Sequence, residues 1–222
     1  AFLDYDKREG DRGITMYSKE AFFSGKNTDI FVLDTPGHID FSSEMERTLQ
    51  VLDLAIVLIN GQDGIQSHGE TIWKCLAHYQ VPTLIFINKM DISYHSKEEL
   101  MKDIHEKFSE NCIDFTQNDL YESLAMINDS LLNEYMNSKS ISLSSIQNIV
   151  FKRECFPCFF GSALKLEGIE NLLDAMGDYT LEKEYGNEFG AKIYKITMDE
   201  QGNPLTHIKI TSGTLKAKQK LN

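Results

Sequence analysis

Basic charge is scarce in this chain. Its 222 residues carry 22 Lys and Arg against 34 Asp and Glu, a formal net charge of −12. A protein that coats a nucleic-acid duplex normally presents a basic face, so the balance argues against that class. Contact with RNA through a few residues stays open. Cysteine is scarce as well, with Cys75, Cys112, Cys155 and Cys158 the full set. The sequence has neither a secretory signal pattern nor a long apolar run. These absences point away from a disulfide scaffold and a membrane span, and toward a cytoplasmic protein in a reducing compartment.

A third absence concerns phosphate binding. The sequence contains no G-x-x-x-x-G-K-[ST] loop. Its nearest candidate is "SGKN", Ser24 to Asn27. That stretch has Glu20 where the first glycine belongs and Asn27 where Ser or Thr belongs.

What is present is a regular alternation. Four short apolar runs, Ile30–Leu33, Ala55–Ile59, Thr83–Ile87 and Phe156–Phe160, are continuous, as expected of strands buried on both faces of a parallel sheet. Helical spacing follows in Phe41, Met45, Leu49 and Leu52, in Ile72, Leu76 and Tyr79, and in Ile169, Leu172, Leu173 and Met176. Strand and helix in alternation predict an open α/β sheet. Thr15–Phe23 and Lys26–Leu33 are expected to form a hairpin at its edge. Between Asp91 and Cys155 the pattern loosens. Leu100, Ile104 and Phe108 mark one helix, and Leu124, Ile127, Leu131 and Tyr135 mark more. Asn137 to Asn148 reads as a polar loop with a short helix. The stretch from about 93 to 150 is therefore expected to be an insertion packed on the sheet.

From Gly190 the residues alternate apolar and polar, with turn signals at "DEQGNP" and "SG". This predicts about three antiparallel strands, the beginning of a small β-barrel. The expected division is 1–185 for the α/β domain and 186–222 for the start of the second. The chain begins at Ala1 rather than Met and ends inside a strand pattern. It is expected to be a stretch of a longer protein, natural or trimmed.

Each apolar run ends on a polar cluster: Asp34, then Asn60-Gly61, then Asn88-Lys89-Met90-Asp91, then Gly161-Ser162-Ala163. Ligands of open α/β sheets sit beyond the carboxyl ends of the strands. Four such clusters in order favour a nucleotide crevice over four unrelated polar loops. "NKMD" carries the sharpest chemistry. An Asp carboxylate accepts from both the ring N–H and the exocyclic amine of guanine, a paired edge that adenine lacks. Asn88 can bond the base and the Lys89 stem can lie over its plane. Backbone N–H groups at Ser162-Ala163-Leu164 can meet a base carbonyl, with Lys165 nearby, although "SAL" alone is weak. In "DTPGH", Asp34 can hold Mg²⁺ through water, Gly37 lets a backbone N–H approach a phosphate, and His38 can position a water. The bland reading of His38 is a helix-start residue. Thr15 of "RGIT" can offer its hydroxyl to Mg²⁺. Cys155-x-x-Cys158 has neither the helix start of a redox pair nor the second pair of a zinc site, and reads as buried strand cysteines. His68, His78, His95, His105 and His207 show no metal-ligand spacing.

With "RGIT", "DTPGH", "NKMD" and "GSAL" in this order, the chain resembles the translational GTPases. Within them it is most similar to elongation factor G and the tetracycline-resistance ribosomal protection proteins. "AFLDYDKREGDRGIT", "FPCFFGSALKLEGIENLLDAM" and "IKITSGTLK" extend the likeness over nearly the whole chain. The resemblance implies a P-loop-NTPase-like open, mostly parallel sheet with helices on both faces, followed by a β-barrel. It implies GTP or GDP and Mg²⁺ as ligands, GTP hydrolysis on the ribosome, a monomer, and no membrane. Thr15 and Asp34 would contact Mg²⁺, and Gly37 the phosphate. His38 would orient the hydrolytic water. Asn88, Lys89 and Asp91 would select guanine, with Ser162, Ala163 and Leu164 forming the base-contacting loop. Ribosomal RNA and proteins would be met largely through domains outside these residues. The implied phosphate loop would lie upstream of Ala1, and Gly10 stands where the family often has a basic residue before "RGIT". An alternative of another class is a non-catalytic guanine-nucleotide or ribosome interaction module.

Overall fold

A computed structural model of the chain describes residues 19–25, 28–35, 42–181, 186–199 and 201–220. They divide into two compact units. One lies within Phe22–Phe31 and Asp53–Leu181, the other within Ala1–Ala21, Val32–Leu52 and Glu182–Asn222.

The larger unit is built on a four-stranded parallel sheet of order β3-β4-β6-β5. Its strands are β3 (Ala55–Asn60), β4 (Thr83–Asn88), β5 (Cys112–Asp114) and β6 (Phe156–Phe160). β3 and β4 pair from Ala55↔Thr83 to Asn60↔Asn88, so their polar ends finish level. Successive side chains of a strand point to opposite faces. Leu84, Phe86 and Phe159 face one layer, with helices α4 (Leu120–Ala125), α5 (Asp129–Ser138), α6 (Leu143–Phe151) and α7 (Ile169–Tyr179). Leu124 and Val150 are fully buried there. On the other face Phe156 meets Trp73 of α2 (Ser67–His78) edge-on at 4.6 Å. Lys97 of α3 (Lys97–Lys107) lies 4.9 Å over the Phe160 ring. The open α/β sheet with helices on both faces is thus as the sequence predicts.

The central strands explain why the sequence pattern worked. Every residue of β6, and all of β4 but Asn88, is buried. Among the described residues β3 is the outermost strand of this sheet, and its Leu58 is exposed. Strand β5 escaped the sequence reading because "CID" is too short to stand out. It pairs with β6, so the stretch after Asp91 adds a strand to the sheet as well as helices.

Arg153 ties the α6–β6 turn to this sheet. Its guanidinium lies 4.9 Å over Phe156 and 5.3 Å over Trp73, and it donates to the Val81 carbonyl and to Thr83 Oγ1. Burial lowers its pKa from the usual arginine range. Cys155 and Cys158 are fully buried free thiols, as the sequence reading had them. Burial pushes both thiols up, further from the reactive thiolate.

The hairpin at the start is present as β1 (Lys19–Ser24) and β2 (Asp29–Asp34), a two-stranded sheet closed by the Gly25 N–H donating to the Thr28 carbonyl at 2.8 Å. The expectation that Ile30–Leu33 is a strand of the parallel sheet buried on both faces fails, since among the described residues β2 pairs with β1 outside the four-stranded sheet. Phe31 is 74% exposed, and it packs at 4.7 Å on Phe22, which is 55% exposed, as in a ribbon with one open face.

In the smaller unit, helix α1 (Ser42–Leu49) buries Met45 and Leu49. β7 (Gly190–Met198) and β8 (Pro204–Ser212) run antiparallel, joined at "DEQGN". Asp199 closes that turn by accepting from the Gln201 and Asn203 amides. About three strands were expected here; the described residues hold two, because "LKAKQK" after Gly213 forms no strand. Lys192 and Lys209 donate to the carbonyls of Gln50 and Val51 at the end of α1. Cations near the carbonyl end of a helix are favourable. Glu20 of β1 accepts from Tyr194, and lies 3.0 Å from the His207 ring, whose other nitrogen meets Thr197. Burial, and then the bond to Glu20, raise the Tyr194 phenol to about 12.

Candidate functional site

At the carboxyl end of the parallel sheet three polar clusters come together. Gly61 after β3 donates its N–H to the Asn88 carbonyl at 2.8 Å. Met90 after β4 donates to the Gly161 carbonyl at 3.0 Å, and Gly161 donates to Ile87 at 3.0 Å. The ends of β3, β4 and β6 are thus laced by backbone bonds. Asn88 adds a side-chain link. Its Oδ1 accepts from the Ala163 N–H at 2.9 Å and from the Lys89 N–H at 2.8 Å. One amide oxygen therefore fixes both the "NKMD" loop and the "SAL" loop.

The local conformations are demanding. Lys89 has φ +64° and an exposed side chain. A left-handed backbone at a non-glycine residue is strained by about 1–3 kcal/mol and persists where the surroundings impose it. Here the imposing contact is the Asn88 side chain. The second loop is closed by reciprocal 3.0 Å bonds between Ser162 and Glu167. Gly161 is required because a Cβ there would collide with the Glu167 carbonyl. Gly168 has φ +74°, and a Cβ there would strike the Phe160 carbonyl. Within this turn Ser162 is buried, while Ala163 and Leu164 are exposed, Leu164 at 90%.

The Asp91 carboxylate has only 8% of its side chain exposed, and its Oδ2 lies 3.7 Å from Lys165 Nζ. The following loop is tethered as well. Ser93 Oγ donates to the Gly61 carbonyl at 2.8 Å, and Gln62 Nε2 to the Ile92 carbonyl at 3.2 Å. The result is a rigid rim offering a largely buried acceptor pair at Asp91, the amide nitrogen of Asn88, and exposed backbone beside Ala163. Such a rim can read a flat heterocycle with adjacent N–H donors.

Of the residues singled out in the sequence, Asn88, Lys89, Asp91, Ser162, Ala163 and Leu164 are gathered here. Asp34 ends β2 in the smaller unit and is half-buried. Thr15, Gly37 and His38 lie outside the described residues. The bridging role of Asn88 and the placement of Lys165 opposite Asp91 are additions from the structure. No spacing rule reveals them, since the partners lie on loops far apart in the chain. Among the described residues no three His, Cys, Asp or Glu side chains cluster to hold a metal, and no helix is long and apolar enough to cross a membrane.

Residues 1–182 match the family model described as the elongation factor Tu GTP-binding domain. The tetracycline resistance protein TetM from transposon Tn5251 of Streptococcus pneumoniae is 33% identical over 227 aligned residues, covering 93% of this chain and 36% of the relative. Elongation factor G of Mycoplasma pneumoniae is 29% identical over 286, covering 97% of this chain and 42% of the relative. A crystal structure of a Thermus thermophilus protein shares the fold, with a TM-score of 0.84 at 17% identity, covering 96% of this chain and 40% of that one. The chain thus spans well under half the length of these relatives. It belongs to the elongation factor Tu GTP-binding domain family.

Proposed function

We propose that this chain is the GTP-handling part of a ribosome-dependent GTPase of the ribosomal protection or elongation factor G type. The observation that carries the reading is the pairing of the "NKMD" and "SAL" loops through Asn88, beside the nearly buried Asp91 carboxylate. In this reading residues 1–185 form the GTP-binding domain, with the inserted stretch at about 93–150. Residues 186–222 begin a β-barrel domain. The protein works as a cytoplasmic monomer, and ribosomal RNA and proteins are met largely through other domains.

The roles fall into two sets. Guanine selection belongs to Asp91, which accepts from the ring N–H and the 2-amino group. Asn88 and Lys89 flank the base, and the turn of Ser162, Ala163 and Leu164 meets its carbonyl oxygen through the Leu164 N–H, the Ser162 and Ala163 N–H groups already donating to Glu167 and Asn88. Phosphate and water handling belong to the other set. Gly37 offers a backbone N–H, and His38 orients the attacking water. Mg²⁺ fits the chemistry of the remaining donors. Asp34 and Thr15 offer hard oxygens, and Mg²⁺ takes one or two such ligands and fills the rest with water and phosphate. When bound it supplies neutralisation of charge on the phosphates. Positioning and charge stabilisation are most of phosphoryl-transfer catalysis, so His38 acts by holding a water in line.

The test is His38→Ala in the protein as its gene encodes it. Ribosome-stimulated GTP hydrolysis is expected to fall about 10²–10⁴-fold, the usual contribution of a positioned proton-handling group. Near-normal turnover on ribosomes overturns the role. A second reading, a guanine-nucleotide or ribosome interaction module without catalysis, is favoured by the absence of a G-x-x-x-x-G-K-[ST] loop in these 222 residues. In that reading the 222 residues bind GTP weakly or undetectably and do not turn it over. Titration with a fluorescent GTP analogue measures this, and tight Mg²⁺-dependent binding refutes it.

A further inference from the structure

We propose that Lys165 is a positioning residue for guanine recognition, holding the Asp91 carboxylate in the orientation that accepts the base. The inference rests on the guanine-binding reading above.

The argument begins with the cost of Asp91. A carboxylate with 8% of its side chain exposed needs a partner, because a buried unpaired charge is strongly destabilising. A guanine base provides donors only while it is bound. The cation within 4 Å of Asp91 among the described residues is Lys165, 3.7 Å from Oδ2. It therefore supports the acceptor independently of any bound base.

The loop is built to keep Lys165 there. Its backbone N–H donates to the Ser162 carbonyl at 3.2 Å and to the Ser162 hydroxyl at 3.3 Å. Ser162 is itself buried and locked to Glu167 in both directions. Leu166, the next residue, has φ +60° and an exposed side chain. The left-handed step reverses the chain directly after Lys165 without burying the leucine. The side chain of Lys165 remains 54% exposed, so its ammonium stays hydrated while it faces the carboxylate.

Geometry also separates this role from direct base contact. A carboxylate has about four lone-pair directions. Guanine uses one on each oxygen. The ammonium lies 3.7 Å from Oδ2, at ion-pair distance, and its attraction biases the orientation of the carboxylate before the base arrives. Such preorganisation lowers the ordering cost of binding. Its benefit is greatest for a ligand that uses both oxygens. Guanine does so through its ring N–H and 2-amino group, whereas hypoxanthine lacks the 2-amino group and engages one.

The experiment measures binding of GTP and ITP to the protein as its gene encodes it, for the parent, Lys165→Met, Lys165→Arg and Lys165→Glu. With Lys165→Met, GTP affinity is expected to fall about 2–5-fold, the range of a partly exposed ion pair. ITP affinity is expected to fall less, so the GTP/ITP ratio drops. Lys165→Arg restores the ratio. Lys165→Glu, which sets a like charge beside Asp91, loses more than Lys165→Met. Circular dichroism confirms that each variant is folded, as expected for a side chain more than half exposed. An unchanged GTP/ITP ratio in Lys165→Met, or an equal loss for both nucleotides, overturns the proposal and leaves Lys165 a loop residue. If the parent protein itself fails to prefer GTP over ITP and ATP, the guanine-site reading falls, and this inference falls with it.

Discussion

Two parts of the larger unit use polar residues in opposite ways. In the loops after β4 and β6, polar groups hold backbone in costly conformations and leave an acceptor ready for a ligand. Asn88 fixes Lys89 at φ +64°, and Asp91 faces one hydrated ammonium. In the helical stretch from α3 to α6, polar groups close the structure on itself. Ser96 and Glu99 form a reciprocal capping box at the start of α3. Ser142 caps α6, and Glu134 accepts from the Ser142 amide and the Ser145 hydroxyl. Asp103 accepts from Lys107 and from the Ile65 amide. Burial opposes its ionisation, but these bonds outweigh burial and hold the carboxyl below its ordinary range. The lesson is that satisfied polar residues report on stability, while a rigid rim with spare acceptors reports on binding. Both rest on the same sheet.

Substitutions that separate the two regions test this contrast. The largest effect is expected from Asp91→Ala. It removes two charge-assisted hydrogen bonds to guanine, each worth about 1.5–3 kcal/mol, so GTP affinity falls at least about 100-fold while the melting temperature holds. Equilibrium binding beside a thermal melt reads both. Leu124→Ala is expected to do the reverse. Leu124 is fully buried under the sheet, and the deletion costs about 2–5 kcal/mol of stability. Chemical denaturation measures that loss, and the GTP/ATP preference of the folded fraction stays unchanged. Ser96→Ala removes the cap of α3 and is expected to cost about 1 kcal/mol, again without effect on nucleotide choice.

The smallest effect is a pH dependence. The hydroxyl of Ser145, then the amide and hydroxyl of Ser142, hold the Glu134 carboxyl below its ordinary value. A depressed folded-state pKa contributes stability that is present above the unfolded value of about 4.3 and is lost as pH falls through the folded value. Thermal melts between about pH 5 and pH 3 are expected to drop more steeply for the parent than for Glu134→Gln. Parallel curves would remove Glu134 from the account of this region.

The same contrast explains what could be read from the sequence. Thr83–Ile87 and Phe156–Phe160 are uniform because both faces of those strands are covered, so their place in the sheet was plain. "NKMD" stood out because Asn88, Lys89 and Asp91 within four residues suit the donor edge of the guanine proposed as its ligand. Ile30–Leu33 misled, since an apolar run does not say whether its second face is covered, and Phe31 is open. β5 was missed because three residues carry no period. The capping box at Ser96 and Glu99 follows a sequence signature, S-x-x-E. The bond from Ala163 to Asn88 and the approach of Lys165 to Asp91 depend on two strand ends lying side by side, which only the fold supplies.

Exchanging the carboxylate for an amide tests the guanine site most directly. In Asp91→Asn one acceptor becomes a donor, which no longer matches the 2-amino group of guanine but suits the 2-carbonyl of xanthine. Competition of GTP, XTP and ATP against a fluorescent guanine nucleotide, or its xanthine counterpart for the variant, measures the preference. The expected result is a parent that prefers GTP and a folded Asp91→Asn protein that prefers XTP. An Asp91→Asn protein that still prefers GTP would contradict the assignment of Asp91 to the base.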